Sequence, residues 1–223
     1  MAGQTRKGVS APRLREVRFG PLDPGDVAEF LDGDADLDDM GFVRVRTEHV
    51  RWSKRRRLSS ARVDGLAALD WRAPGASLVD VVLEQADLVS WSAVESQWRT
   101  VEIRQSRVGS LELYDSVLDS VHFVGCKLAF LNLRGAKLRD VAFTDCTIDE
   151  LDLTRTSATR VAFEGSRIGR LESASATFTD VDLRGARLSD LASVEGLRGA
   201  IVTVDQLLDL APLLASRLGI RVG

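Results

Sequence analysis

The stretch VEIRQSRVGSLELYDSVLDSVHFVGCKLAFLNLRGAKLRDVAFTDCTIDELDL, residues 101–153, decides the fold once it is read in fives. Ile103, Val108, Leu113, Leu118, Phe123, Leu128, Leu133, Leu138, Phe143, Ile148 and Leu153 are all large and apolar. Two residues before each of them stands a second restricted position, which alternates bulky with small: Val101, Ser106, Leu111, Ser116, Val121, Cys126, Leu131, Ala136, Val141, Cys146, Leu151. Inward positions two residues apart match the side-chain period of extended chain and not the 3.6-residue period of a helix. The bulky members of the second series themselves alternate. Val101, Val121, Val141, Val161 and Val181 form one set, and Leu111, Leu131, Leu151, Leu171 and Leu191 the other. A twenty-residue recurrence made of five-residue units closes one turn every four units, so each turn has four sides and residue k stacks on residue k+20.

Outward from this stretch the register runs from Leu78 to Leu188 and continues more weakly through Leu58, Val63, Ala68 and Ala73. Ala35-Asp36-Leu37 opens a unit in a shifted register, with centres at Phe42, Thr47 and Trp52. A one-residue insertion near Lys54 to Arg56 reconciles the two. Residues 35–54 then make one turn and 56–195 seven more, a rod of about 38 Å at about 4.8 Å per turn. A single unit cannot bury its apolar face, so the core is built by stacking neighbours.

The units Ala86-Asp87-Leu88, Leu131-Asn132-Leu133, Leu151-Asp152-Leu153 and Val181-Asp182-Leu183 resemble those of the pentapeptide-repeat family. The resemblance covers about two thirds of the chain and implies an all-β solenoid, a right-handed quadrilateral parallel β-helix. Lys127, Lys137, Ala142, Thr147, Ala162 and Arg167 depart from the family's Asp or Asn, at positions expected to face solvent or turns.

The expected organisation is a flexible lead and cap over 1–34, the β-helix over 35–195, and a capping and dimerisation helix over 196–223. Within the lead, residues 1–12 are expected to be flexible and Asp26 to Leu31 to form a short helix. At the other end Thr203 and Gln206 have capping-box spacing, Gly219 supplies a stop, and Pro212 should kink or divide the helix. The tail from Leu197 to Gln206 is similar to that of family members, including fluoroquinolone-resistance proteins, in which it dimerises. Residues 207–218 hold Leu207, Leu208, Leu210, Leu213, Leu214 and Leu218, more than one rod end can cover. Leu208 and Leu214 are therefore the candidate dimer interface.

No composition or motif points to catalysis. His49 and His122 have no sequence partner for metal or triad chemistry, and no phosphate loop, zinc ligand set or nucleophile elbow occurs. The acidic run Asp32 to Asp39 fails the calcium-loop pattern, since Leu37 stands at the glycine position and Val43 at the terminal glutamate. The chain reads as non-enzymatic, without cofactor or metal. Cys126 and Cys146 are too few for a disulfide scaffold and fit a reducing compartment, the cytoplasm. No stretch could span a bilayer.

The candidate partner-binding residues are basic. Lys54, Arg55, Arg56 and Arg57 form the densest cluster, read as an exposed loop. Arg107, Lys127, Arg167 and Arg187 form a column on one side, interrupted by Thr147, beside Glu112, Asp152 and Glu172 on the next. A scaffold for an unidentified protein partner is the first reading, direct nucleic-acid binding being disfavoured. The alternative is DNA mimicry toward DNA gyrase, a role that the resemblance implies for some members. Residues 76–193 hold 18 acids and 13 bases, a net of -5, but the basic column breaks a uniformly negative rod.

Overall fold

Inward and outward side chains alternate along most of the strands, and it is this alternation that wraps the chain around a closed core. The computed structural model describes residues 9–53 and 55–221. Eight coils stack in parallel. On two sides each of the second to seventh coils contributes one eight-residue strand, as in Gln97–Arg104, Val117–Val124 and Lys137–Thr144; on the other two each coil contributes a shorter one, as in Arg107–Glu112 and Lys127–Asn132. The valines named above pair one upon another, Val101 with Val121, Val121 with Val141, Val141 with Val161 and Val161 with Val181. Each is 0 to 1% exposed. The twenty-residue period is thus the register of the sheets.

Corners explain the remaining positions of the unit. At three of the four corners the chain turns through a left-handed residue, as at Thr100, Gln105 and Asp115 in one coil and at Asp140 and Asp145 in another. Glycine and aspartate suit that conformation, which accounts for Gly125 and Gly135 in the same series.

The first coil pairs with the second at a different offset. Phe42 lies against Val63 and Val50 against Trp71, twenty-one residues on, whereas Val63 lies against Leu83, twenty on. Trp52 donates its N–H to the carbonyl of Arg72, and Arg55 to that of Pro74. The extra residue therefore falls between Trp52 and Arg55, at the N-terminal edge of the Lys54 to Arg56 stretch that the sequence indicated.

Two aromatic systems fill the core. Phe123, Phe143 and Phe163 stack with centroids 4.8 Å apart. Toward the N-terminus the filling is tryptophan: Trp71 stacks on Trp91 at 4.4 Å, with Trp52 and Trp98 at 5.1 Å on either side. The two small columns hold serine, cysteine, alanine and one threonine, Ser106, Cys126, Cys146 and Ser166 in one and Ser96, Ser116, Ala136 and Thr156 in the other. Ser116 Oγ accepts from the N–H of Ser96, Ser106 Oγ from Ala86 and Ser166 Oγ from Cys146, so these buried hydroxyls are satisfied.

Both open ends of the sheets are covered, as unpaired edges require. At the N-terminal end, helix α1 (Val27–Asp32) is capped by Asp26 and inserts Phe30 fully into the core. At the C-terminal end, helix α2 (Val204–Arg217) begins with the capping box of Thr203 and Gln206. Gln206 Nε2 also donates to the carbonyls of Leu183 and Ala186, tying the helix to the last coil. Pro212 does not divide α2, which runs unbroken across it. No helix among the described residues is long and apolar enough to cross a membrane.

The lead has a defined place from Val9 onward; residues 1–8 lie outside the described residues, so the expectation of flexibility bears there on nothing visible. Residues 9–22 run as an extended strap along the outside of the coils. The N–H of Arg13 donates to Asp140 Oδ1 at 2.8 Å and that of Arg15 to Ser120 Oγ at 2.6 Å. The strap then reaches the first coil, where Asp23 and Pro24 pair with Met40 and Gly41.

Candidate interaction surfaces

Strand alternation decides which of the predicted basic residues reach solvent. Arg107, Lys127, Thr147, Arg167 and Arg187 pair in succession, and all four cations are exposed. None of the four is in an ion pair among the described residues. Elsewhere on the rod many arginines are paired, including Arg51 with Asp70, Arg62 with Glu84, Arg104 with Glu102, Arg160 with Asp140 and Arg184 with Asp182. The four cations therefore form a ladder about 19 Å long at the strand spacing.

Beside the ladder runs a column in which two positions are glycine. A Cβ on Gly109 would lie 2.4 Å from the carbonyl oxygen of Val89, and one on Gly169 would lie 2.5 Å from that of Asp149. Both positions need glycine because the next coil approaches there. Ala129 and Asp149 occupy the same column between them. The far edge carries Glu150 and the pair Arg170–Asp190 at 2.7 Å.

The Lys54–Arg57 cluster is not a single patch. Lys54 lies outside the described residues. Arg55 and Arg57 are exposed, the first in a left-handed turn, the second with its N–H donating to Asp36 Oδ1. Arg56 corrects the sequence reading, because its side chain is fully buried. Its guanidinium donates to the carbonyls of Ala35 at 2.7 Å, Glu29 at 2.8 Å and Phe30 at 3.4 Å, reaches Glu29 Oε1 at 3.0 Å, and lies 5.2 Å from the centroid of the Trp52 ring. Burial pushes its pKa below the ordinary arginine value, while Glu29, Asp34 and Asp36 pull it up. Arg56 fastens α1 to the rod. A signal was available, since residue 56 belongs to the inward series that continues as Ala61, Leu66 and Trp71.

The C-terminal helix separates its leucines. Leu210 is buried, and Leu213 and Leu214 pack against the core, so Leu214 belongs to the cap. Leu208 is 66% exposed, as the dimer reading requires, and Val204, Leu207 and Leu218 share that outer surface.

One further surface had no sequence signal. Beside the strap, Ala142 and Ala162 floor an open groove of about 680 Å³ walled by Ala11, Pro12 and Leu14. His122 closes its lower end with Nε2 2.9 Å from Thr144 Oγ1, and Glu164, Asp182 and Arg184 line its rim. Partial burial pushes the His122 pKa below the ordinary imidazole value, outweighing the pull of Glu102. Cys126 and Cys146 are buried and unpaired. Among the described residues no group of three or more His, Cys, Asp or Glu could hold a metal ion.

The sequence matches the family model described as a pentapeptide repeat region over residues 96–172 and again over 116–192. Among solved structures, a trypsin-treated variant of QnrB1, described as a plasmid-mediated fluoroquinolone resistance protein, is 13% identical, covering 86% of this chain and 100% of its own, with a TM-score of 0.33. Full-length QnrB1 is 16% identical, covering 84% and 100%, with a TM-score of 0.28. No curated protein matches the sequence.

Proposed function

Because this chain belongs to the pentapeptide-repeat family, we propose that it is a non-catalytic scaffold whose rigid rod presents charged sides to a protein partner. The observation that carries this reading is the ladder Arg107, Lys127, Arg167, Arg187. Stacked cations about 5 Å apart repel by about 0.8 kcal/mol at the dielectric of water. An acidic surface laid along the ladder removes that repulsion and gains attraction in its place.

Reversing Lys127 and Arg167 to glutamate in one protein tests the ladder. The wild type should capture an acidic partner from the native host at low salt and lose it at about 1 M salt, where the screening length falls to about 3 Å. The double variant should fold normally and capture at least tenfold less. Capture that survives both the reversal and the salt would refute the ladder as the contact. DNA mimicry, with gyrase as the partner, is the less favoured reading. The same ladder sets cations in the middle of a side that duplex-like charge would need to be negative. A gyrase supercoiling assay with the purified protein tests it.

The rod is proposed to pair through α2. Its outer surface exposes Val204, Leu207, Leu208 and Leu218 on a helix already committed to the core by Leu210 and Leu214. A two-fold pairing is self-complementary and closed, whereas end-to-end stacking of rods would propagate. Light scattering should give a dimer for the intact protein and a monomer for Leu208→Glu. Leu214→Glu should instead loosen the cap and lower the melting temperature. A monomeric mass for the intact protein across micromolar concentrations would exclude the dimer. The proposed compartment is the cytoplasm, where buried unpaired thiols persist.

A further inference from the structure

The strap is held in a manner that any extended chain could satisfy. Two of its anchors read main chain only: the N–H groups of Arg13 and Arg15, received by Asp140 Oδ1 and Ser120 Oγ. These acceptors sit one coil apart in the same corner column. Asp140 is fixed in turn by Arg160, whose Nε and NH2 each donate to it at 2.6 Å. One anchor reads a side chain. Arg15 reaches Asp119 Oδ2 at 3.0 Å, while Oδ1 of the same carboxylate is buried with no partner among the described residues. Two residues of extended chain span about 6.6 Å against about 4.8 Å per coil, so the strap crosses the coils obliquely and cannot keep this register for long.

The groove continues past the strap. Its floor positions pair in one column that reads Arg62, Val82, Glu102, His122, Ala142, Ala162. Long or bulky side chains fill the early coils, and the column is reduced to methyl groups only at Ala142 and Ala162, with Asp182 following. Pro12 and Leu14 lean over that apolar floor from one side only, which leaves the groove open. Its rim is acidic on balance: Asp182 is neutralised by Arg184, whereas Glu164 is in no ion pair among the described residues.

We propose that this flank is a peptide-binding groove which residues 11–15 occupy in cis, and that its outside ligand is an extended protein segment carrying the same pattern of apolar residues beside an arginine. The apolar residue covers Ala142 and Ala162, the arginine takes the place of Arg15 at Asp119, and the main chain is read by Asp140 and Ser120. The strap acts as a tethered competitor, so an outside segment must displace it. This surface lies on a different side from the cationic ladder, and the two readings stand or fall separately.

A fluorescein-labelled peptide of residues 9–19 is the probe, added to the full-length chain and followed by anisotropy. The wild type should bind it weakly, because its own strap competes at the high effective concentration of a tethered segment. The strap variant Leu14→Asp, Arg15→Glu releases the strap but leaves the groove floor at Ala142 and Ala162 and the acceptors Asp119, Ser120 and Asp140 intact, and should bind at least tenfold more tightly. Adding Ala162→Arg to that variant fills the floor, at a column position where Arg62 already stands, and should abolish binding. Equal binding to wild type and strap variant, binding to neither, or binding that survives Ala162→Arg overturns the proposal. If the strap variant fails to fold, the wild type decides by hydrogen exchange. Excess peptide must speed exchange at the amides of Arg13 and Arg15, and unchanged exchange overturns the proposal.

Discussion

Phe143→Ala lowers the unfolding free energy by about 3 to 5 kcal/mol, the range for deleting a fully buried aromatic side chain. Phe143 is fully buried between Phe123 and Phe163, both 4.8 Å away and nearly parallel. The coils above and below hold the walls in place through the sheets, so the cavity cannot collapse and the cost stays near the top of the range. Lys137 begins the same strand but points outward, and Lys137→Ala should change stability by less than about 0.5 kcal/mol. Denaturant unfolding of the two variants checks the pair. Similar losses for both would mean that inside and outside are wrongly assigned.

The second large effect is at Arg56. Arg56→Met keeps the length of the side chain and much of its apolar stem but removes every donor. The carbonyl of Ala35 is then left unpaired in the cap, at about 1 to 3 kcal/mol, those of Glu29 and Phe30 keep only Gly33 N–H and the Trp52 indole N–H, and the contact over Trp52 is lost as well. A loss of about 2 to 3 kcal/mol is expected. Replacing a whole buried ion pair by apolar residues is often neutral, but here the acceptors are main-chain groups that no substitution removes. Because Arg56 fastens the cap over the first coil, the variant should also associate as its strand edge opens. Thermal melting and light scattering together check this. A neutral result would place Arg56 in solvent, as its three basic neighbours in sequence first suggested.

Arg56 also shows where the sequence was legible and where it was not. The five-residue register is a repeated signal, so the inward columns, the twenty-residue period and the extra residue before Arg55 could all be read from residue types. At Arg56 two signals conflicted: register put the residue inside, and local charge density put the run outside. Register won because the coil geometry is set by many units, whereas a buried arginine needs only one set of acceptors to be satisfied. The tail was half legible. Leucine spacing defined the helix, but the side that faces the rod depends on Gln206 docking onto Leu183 and Ala186, contacts that spacing does not encode. Pro212 lacks one N–H and yet leaves α2 whole, since the capping box and Leu210 hold the helix before it and the packing of Leu213 and Leu214 holds it after. The strap was not legible at all. Val9 to Phe19 has no period of its own, and its place is fixed by Ser120 and Asp140, more than a hundred residues away in the chain.

The stacking of k on k+20 underlies the core, the ladder and the groove alike, and one distance tests it. Spin labels at positions 107 and 187 sit at the two ends of the ladder, four coils apart in register. Cys126 and Cys146 are first replaced by serine, which the same small column already accepts at Ser106 and Ser166. Electron–electron double resonance should then give a single narrow distribution consistent with backbones about 19 Å apart, at about 4.8 Å per coil. Labels at 107 and 167 should lie closer by one coil. A broad distribution, or a 107–187 distance no longer than the 107–167 distance, would contradict the register and with it the ladder.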